Sequence, residues 1–187
     1  QNIDLNPHII KMTDKNTSQI HVLIEQKVDI WLHYVLFSPL WWIAASLTII
    51  PWIFWLLFRP RESTDRLMYA GFFVMIISLV LDVLGDQYGL WFYRFNLIPV
   101  LPTYFPWDLT LMPLSIMFLL QIKPQANPLF KALLFAIATS FIGEPFFAWM
   151  KVYVLIHWHY YFSAPIQFCI YLVAHYISRR TKFSKLT

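Results

Sequence analysis

The sequence has 187 residues, of which 59% are hydrophobic, 19% aromatic and only 13% charged. A soluble domain carries about 25% charged residues, so this composition excludes an ordinary soluble fold and predicts an integral membrane protein. The net charge of +4 comes from basic residues at segment ends, which is typical of topology signals and argues against nucleic acid as a partner. The single cysteine, Cys169, excludes an internal disulfide and a cysteine-cluster metal site.

Residues 1–37 are interpreted as a polar tail followed by an amphipathic helix over residues 20–37. The tail lacks the charged-then-apolar pattern of a signal peptide. A polar stripe recurs every four residues on one face of the predicted helix, formed by His21, Glu25, Asp29 and His33. We therefore expect the helix to lie on the outer leaflet rather than cross it. The stripe could bind a metal, but only neighbours one turn apart can share an ion, so a solvated polar face is favoured.

Residues 38–187 are predicted to form one transmembrane domain of five helices, because a spanning helix needs about 20 mostly apolar residues. The predicted spans cover residues 38–58, 67–85, 107–122, 127–150 and 163–178. The first, fourth and fifth follow a capping residue and a proline, namely Ser38-Pro39, Asn127-Pro128 and Ser163 with Pro165. The expected fold class is all-α, a polytopic membrane helix bundle of about five transmembrane helices plus an N-terminal amphipathic interfacial helix.

Basic residues divide unequally between the two sides of this topology. Nine lie on the side of the C-terminus: Arg59, Arg61, Arg66, Lys123, Lys131, Arg179, Arg180, Lys182 and Lys185. Five lie on the other side: Lys11, Lys15, Lys27, Arg94 and Lys151. The positive-inside rule then predicts a multi-pass protein of the cell membrane with its N-terminus outside and its C-terminus in the cytoplasm. The apolar, proline-containing loop over residues 88–108 is expected to lie irregularly at the outer headgroups.

Four carboxylates fall within or beside the predicted spans, all in the outer half. Asp82 and Asp86 are one helical turn apart, Asp108 begins the third span, and Glu144 lies about 9 Å below the outer end of the fourth. An acid inside a span costs about 2.5–3.5 kcal/mol on insertion scales, so it should face the bundle interior. Pro145 cannot donate to the Phe141 carbonyl, which leaves a polar notch beside Glu144. Candidate partners for Glu144 are Arg94, Lys151, Tyr153, His157, His159, Tyr160 and Gln167.

We therefore expect Asp82 and Glu144 to face one acidic cavity, with Asp86 and Asp108 at its mouth. The candidate ligand-binding residues are Asp82, Asp86, Asp108, Glu144, Trp91, Tyr93, Trp149, Tyr153 and Trp158. Structural alternatives stay open for three of the acids: Asp108 could cap its helix, Asp86 could mark the membrane boundary, and Glu144 could be a neutral packing residue. The sequence identifies neither a cofactor nor a metal.

Four strings carry a resemblance to a known family: "FSPLWW", "SLVLDVLGDQYGLWFY", "LPTYFPWDLTLMPLSIMFLLQ" and "GEPFFAWMKVYVLIHWHYYFSAPI". Together they resemble a family of small multi-pass membrane proteins of spore-forming Gram-positive bacteria, over nearly all of the chain after residue 20. The resemblance implies a recurring residue set and no reaction. That set is Asp82, Gly85, Gly89, Trp91, Tyr93, Pro106, Asp108, Pro113, Gly143, Glu144, Pro145, Trp149, Tyr153, Trp158, Ser163 and Pro165.

Three functions are compatible with these residues. An acidic and aromatic cavity suits a protein that binds or senses a cation, an amine or a lipid headgroup. An apolar outer loop suits an assembly partner of another membrane protein. The acid pair in "DVLGD" resembles the magnesium-binding acids of prenyl-transferring enzymes, which leaves an intramembrane enzyme acting on a lipid or isoprenoid as a further alternative. The expected partners are membrane lipid, a small cationic ligand and a protein within the membrane.

Overall fold

The computed structural model describes residues 6–180. Residues 1–5 and 181–187, which include Lys182 and Lys185 of the charge count, lie outside the described part. Within that part the chain is mostly helical. Its α-helices are α1 (Pro7–Ile30), α2 (Pro39–Phe58), α3 (Thr64–Gln87), α4 (Met112–Gln121), α5 (Pro128–Ala138), α6 (Glu144–Trp149) and α7 (Tyr160–Ser178).

Two π-helical turns sit where a proline interrupts the helical hydrogen bonding. Pro106–Leu111 runs into α4, and Thr139–Gly143 joins α5 to α6. Pro113 and Pro145 follow these turns and lack the N–H that would bond to the carbonyl four residues earlier. The Leu109 carbonyl, freed by Pro113, accepts a hydrogen bond from the Trp52 indole at 2.8 Å. The extra residue in each turn makes room for the proline ring, and such turns are frequent at functional sites.

Three helices are long and apolar enough to cross a membrane: Pro39–Phe58, Arg61–Gln87 and Pro128–Trp149. These match three of the five predicted spans. The other two predicted spans are also helical, but one has only six π-helical and ten α-helical residues. The other, α7, includes Gln167 and His175 among its 19 residues. The described chain therefore supports membrane insertion through three helices.

Helix starts follow the predicted cap-and-proline signal at α2 and α5. The Ser38 hydroxyl accepts from the Trp41 N–H at 3.3 Å, and the Asn127 side chain accepts from the Leu129 N–H at 2.9 Å. The predicted cap at Ser163 is wrong, because α7 begins three residues earlier at Tyr160. A further instance, Asn6 followed by Pro7, begins α1 inside the predicted polar tail.

The all-α description is incomplete because two short strands form a ribbon. β1 (Trp91–Tyr93) pairs antiparallel with β2 (Tyr153–Leu155), with Trp91 opposite Leu155 and Tyr93 opposite Tyr153. The prediction of an irregular loop is therefore wrong for residues 91–93, whose backbone groups pair with a partner strand. Trp91 and Tyr153 are buried beneath the ribbon, which covers one end of the helices.

The buried side chains form two clusters at opposite ends of the bundle. At the end that carries the ribbon, here called the aromatic end, the buried cluster is Ala44, Trp91, Tyr104, Phe147, Val152 and Tyr153. The larger cluster lies toward the other end and is mostly aliphatic, with Val74, Ile116, Met117 and Ala132 among its members. We call that end the basic end, because Arg66, Lys131 and Arg179 lie there.

Basic side chains bind free carbonyls at the basic end. The Lys131 ammonium donates to the Leu119 carbonyl at 2.7 Å and to the Ile122 carbonyl at 2.5 Å, where α4 finishes. Arg66 donates to the Ser178 carbonyl at 2.9 Å, and Arg179 donates to the Pro124 carbonyl. Lys131 and Arg66 therefore compensate the C-termini of α4 and α7, and Arg179 binds a carbonyl of the loop after α4.

Helix α1 stands apart from the bundle and buries none of its residues. Within the predicted polar stripe there is one close contact between described side chains: the His33 ring, just after α1, lies 3.3 Å from the Asp29 carboxylate. A π-helical turn, Trp31–Val35, ends the segment. There the Trp31 indole donates to the Asn96 carbonyl at 2.7 Å, which attaches α1 to the loop after β1.

Candidate functional site

A cavity of about 260 Å³ opens at the aromatic end between α3, α6, α7 and the ribbon. Asp82 and Glu144 both line it, so these two acids share one cavity. Its other polar lining residues besides tyrosine and tryptophan are Ser78, Ser163 and Gln167. Among the described residues that line it, none is lysine, arginine or histidine. The cavity is therefore acidic and lacks a basic counter-charge of its own.

Asp82 is held by the ribbon. One of its carboxyl oxygens, Oδ1, accepts from the Trp91 indole at 3.2 Å and from the Tyr93 hydroxyl at 3.1 Å. The residue is only 6% exposed, and its second oxygen, Oδ2, has no hydrogen-bond partner. A buried acceptor left unpaired costs free energy unless something donates to it.

Gly85 allows this arrangement by giving the Trp91 ring room against α3. A Cβ atom at Gly85 would lie 2.0–2.4 Å from atoms of the Trp91 ring. Any larger residue would displace the indole that donates to Asp82. The glycine in "DVLGD", Gly85, is therefore explained by packing: it makes room for the indole that donates to Asp82, one turn earlier on the helix.

Asp108 lies deeper than predicted. It is fully buried rather than at the cavity mouth. Its carboxylate accepts from Ser78, from the Thr103 hydroxyl at 2.5 Å and from the Tyr104 backbone N–H at 3.1 Å. The Asp108 carboxyl group also lies within hydrogen-bonding range of the Asp82 carboxyl group, and the two interact electrostatically. It therefore acts as the hydrogen-bonded floor beneath Asp82 and closes the turn over residues 103–108 rather than capping its own helix.

Glu144 is half-buried on the opposite wall, immediately after a π-helical turn. The Ser163 hydroxyl lies within hydrogen-bonding range of its carboxylate and accepts from the Trp158 indole at 2.9 Å. Its oxygen Oε2 has no partner. Of the candidate partners, Tyr153 and Tyr160 interact with its charge, and Gln167 lines the same cavity. Arg94 instead donates to the Lys151 carbonyl at 3.0 Å.

A third unpaired acceptor comes from α7. Gln167 is only 8% exposed, and its carbonyl oxygen Oε1 has no hydrogen-bond partner. Asp82, Glu144 and Gln167 thus line the same cavity, and each of the three has a buried side-chain oxygen without a hydrogen-bond donor. Such a set calls for a ligand that donates hydrogen bonds or carries positive charge.

The Tyr93 hydroxyl in the ribbon is a neutral donor to Asp82, and the buried tyrosines around it keep their protons. Burial, followed by the charges of Asp82 and Asp108, holds the pKa of Tyr93 well above its usual value. Burial, with the charges of Glu144 and Asp82, raises the pKa of Tyr153 in the same direction. The Tyr153 phenol therefore lies within electrostatic range of both acids. Burial raises the pKa of Tyr104 to about 12.

Two predicted site residues lie elsewhere. Trp149 is 78% exposed and faces away from the cavity, so its predicted position around the cavity is wrong. Asp86 does not line the cavity either. It is half-buried, accepts from the Gln87 side chain at 3.4 Å and lies within the electrostatic reach of Lys27. Asp86, at the last turn of α3, therefore lies outside the cavity that Asp82 lines.

Sequence reasoning missed part of the cavity lining. Ser78 and Ser163 were not assigned to it, and Gln167 was named only as a partner of Glu144. A spacing signal was available, because Ser78 precedes Asp82 by four residues and Ser163 precedes Gln167 by four. Residues at that spacing share a helix face. Tyr104, Trp107 and Phe147 add aromatic walls that only the tertiary packing reveals.

Metal binding receives no support from the arrangement of side chains. Within residues 6–180, no group of three or more His, Cys, Asp or Glu side chains comes close enough together to hold a metal ion. The stripe on α1 contributes only the Asp29–His33 pair.

The chain matches no family, no curated protein and no solved structure in the comparisons made with it. The resemblance to the bacterial membrane family therefore stays a prediction, and function has to be argued from the cavity.

Proposed function

We propose that this protein is a five-span membrane protein whose cavity at the aromatic end binds a small organic cation from the outer side. The proposal rests on unpaired hydrogen-bond acceptors in the cavity. Asp82, Glu144 and Gln167 line one cavity, and each has a buried oxygen without a donor. A cation with N–H groups would supply donors and charge together.

The walls suit the same ligand. Trp91 and Trp158 meet edge to face with ring centroids 5.0 Å apart, and Tyr93 stacks on Tyr104 at 5.1 Å and on Tyr153 at 5.3 Å. Aromatic faces attract cations through their quadrupole, most strongly where water is excluded. An acidic cavity with such walls would favour a cation over a neutral or anionic solute.

Binding of phenethylammonium to the purified chain in lipid nanodiscs tests the proposal. We expect calorimetric binding to the wild type and at least tenfold weaker binding to Asp82→Asn and to Glu144→Gln, since each change removes charge and keeps the shape. Trp149→Phe is the matched control, because this exposed side chain lies outside the cavity, and it should bind like the wild type. Equal binding by all four proteins, or equal binding of neutral 2-phenylethanol, would contradict the proposal.

Orientation follows from the nine-to-five division of basic residues, which supports a cytoplasmic C-terminus and an outward-facing cavity. The test uses single cysteines at two exposed positions, Tyr88→Cys at the aromatic end and Glu62→Cys at the basic end, in a Cys169→Ala background. An impermeant maleimide added to intact cells should label position 88 and spare position 62. Labelling of position 62 alone would reverse the orientation and place the cavity in the cytoplasm.

A second candidate function is assembly with another membrane protein. The observation that favours it is α1, a 24-residue helix that buries none of its residues. Deletion of residues 1–30 separates the two functions. If the truncated chain folds, keeps its cation binding and loses a copurifying partner, α1 is an assembly element. If no partner copurifies with the full chain, the membrane surface is what α1 contacts.

A further inference from the structure

The three unpaired oxygens need hydrogen-bond donors, and not every kind of cation supplies them. A quaternary ammonium has no N–H and would leave Asp82 Oδ2, Glu144 Oε2 and Gln167 Oε1 without donors. A hard metal ion such as calcium requires six to eight oxygen ligands, and no group of three or more His, Cys, Asp or Glu side chains among the described residues comes close enough together to hold one. A primary ammonium has three N–H donors, one for each unpaired oxygen.

The remainder of the cavity is built for an apolar body. Its volume of about 260 Å³ exceeds what an ammonium group alone would occupy, and most of its lining is aromatic or aliphatic. At the rim, Leu84 in the last turn of α3 and Tyr88, which follows the helix, are 47% and 77% exposed. Such an exposed apolar rim suits a ligand that arrives from the bilayer interface, because its hydrocarbon part can contact the rim.

Phosphate-bearing headgroups fit this cavity poorly. Arg94 binds the Lys151 carbonyl and lies over the Phe92 ring, with its guanidinium carbon 5.6 Å from the ring centroid. Among the described residues that line the cavity there is no cation for a phosphate. A zwitterionic lipid headgroup would therefore bring a negative charge next to Asp82 and Glu144 without compensation.

From these three constraints we propose that the cavity selects a primary amine with an apolar body, an alkylammonium or arylalkylammonium ion, over quaternary ammonium ions of the same size. This inference rests on the proposed function, since it names the ligand class of the same cavity. Selectivity comes from hydrogen-bond donation, because the cation–π attraction of the aromatic walls is available to both kinds of cation.

The test compares matched probes on the full chain in nanodiscs: phenethylammonium, its N,N,N-trimethyl derivative, and calcium ions as competitor. We expect the primary ammonium to bind at least tenfold more tightly than the trimethylated ion, with no displacement by calcium. Gln167→Met removes a neutral acceptor at nearly constant volume. It should reduce that preference severalfold, because only the primary ammonium can donate to the Gln167 carbonyl.

The possible failures are distinguishable. Equal affinity for the two ammonium ions, or displacement by calcium, would overturn the primary-amine inference and leave an organic-cation or metal site. Absence of binding by either ammonium ion would contradict the proposed function itself. An unchanged preference in Gln167→Met, with thermal unfolding like that of the wild type, would show that Gln167 does not contact the ammonium and would overturn the three-donor arrangement.

Discussion

The two ends of the bundle use the same helices for opposite purposes. At the basic end, α3, α4, α5 and α7 pack around aliphatic side chains such as Val74, Ile116 and Ala132, all fully buried. At the aromatic end the helices are held apart by ring side chains and enclose a cavity with three unpaired oxygens. We infer that close packing at the basic end makes the bundle rigid. This rigidity keeps polar groups without hydrogen-bond partners in place at the aromatic end.

A glycine on α3 marks each end, and the comparison between them gives the largest predicted effect. A Cβ at Gly85 would meet the rigid Trp91 ring at 2.0–2.4 Å, whereas one at Gly71 would meet the flexible Met117 side chain at 2.5 Å. We expect Gly85→Ala to destabilise the protein by about 3 kcal/mol and Gly71→Ala by about 1 kcal/mol, within the range known for overpacking.

Denaturant unfolding of the purified variants measures both glycine effects. Gly85→Ala should also abolish cation binding, because the displaced Trp91 no longer donates to Asp82, while Gly71→Ala should keep it. If Gly71→Ala proves the more damaging of the two, or if Gly85→Ala binds normally, the two ends are not specialised in the way described.

Removal of the buried cation at the basic end has the next largest effect. Lys131 is 7% exposed and donates to two carbonyls at the end of α4. Lys131→Met leaves them without a donor and should cost about 2 kcal/mol, as for hydrogen bonds to charged groups. Cation binding at the distant cavity should be unchanged. Lys123→Met, at an exposed position in the adjacent loop, is the control and should unfold like the wild type.

Alkaline pH has the smallest predicted effect, and it acts at the aromatic end. Tyr104 has a pKa of about 12 in the folded protein, against about 10 for an exposed tyrosine. The folded state therefore binds the phenol proton more tightly, so its contribution to stability is complete below pH 10 and is lost as pH rises toward 12. Between pH 9 and pH 11 the wild type should lose about 1 kcal/mol more than Tyr104→Phe. Parallel pH profiles of the two proteins would contradict this.

Helix positions could be predicted from the sequence because their signals are local. Apolar length and the Ser38-Pro39 and Asn127-Pro128 starts gave α2 and the start of α5 within a residue. The start of α7 failed because the Ser163 hydroxyl binds Trp158 instead of capping the helix. The ribbon was missed because each strand has only three residues and its partner lies about 60 residues away.

The candidate site could be predicted in outline for the same reason. An acid that faces lipid within a span costs free energy, so Asp82 and Glu144 are expected to face the bundle interior whatever the details of packing. Local spacing did not determine the surroundings of the other residues. Asp86 shares a helix face with Asp82, yet it does not line the cavity, and Trp149 turns outward although Phe147 nearby is buried. Those outcomes depend on which element packs against the last turn of each helix.

The proposed role of the acids at the aromatic end is to hold the positive group of an organic cation. An experimental structure of the protein with bound 4-bromophenethylammonium tests it most directly, because anomalous scattering locates the bromine independently of the model of the chain. We expect a bromine peak among the aromatic walls, with the ammonium about 3 Å from Asp82 Oδ2, Glu144 Oε2 and Gln167 Oε1, the ordinary length of such hydrogen bonds. A bromine peak outside the cavity, with only water beside Asp82 and Glu144, would contradict it.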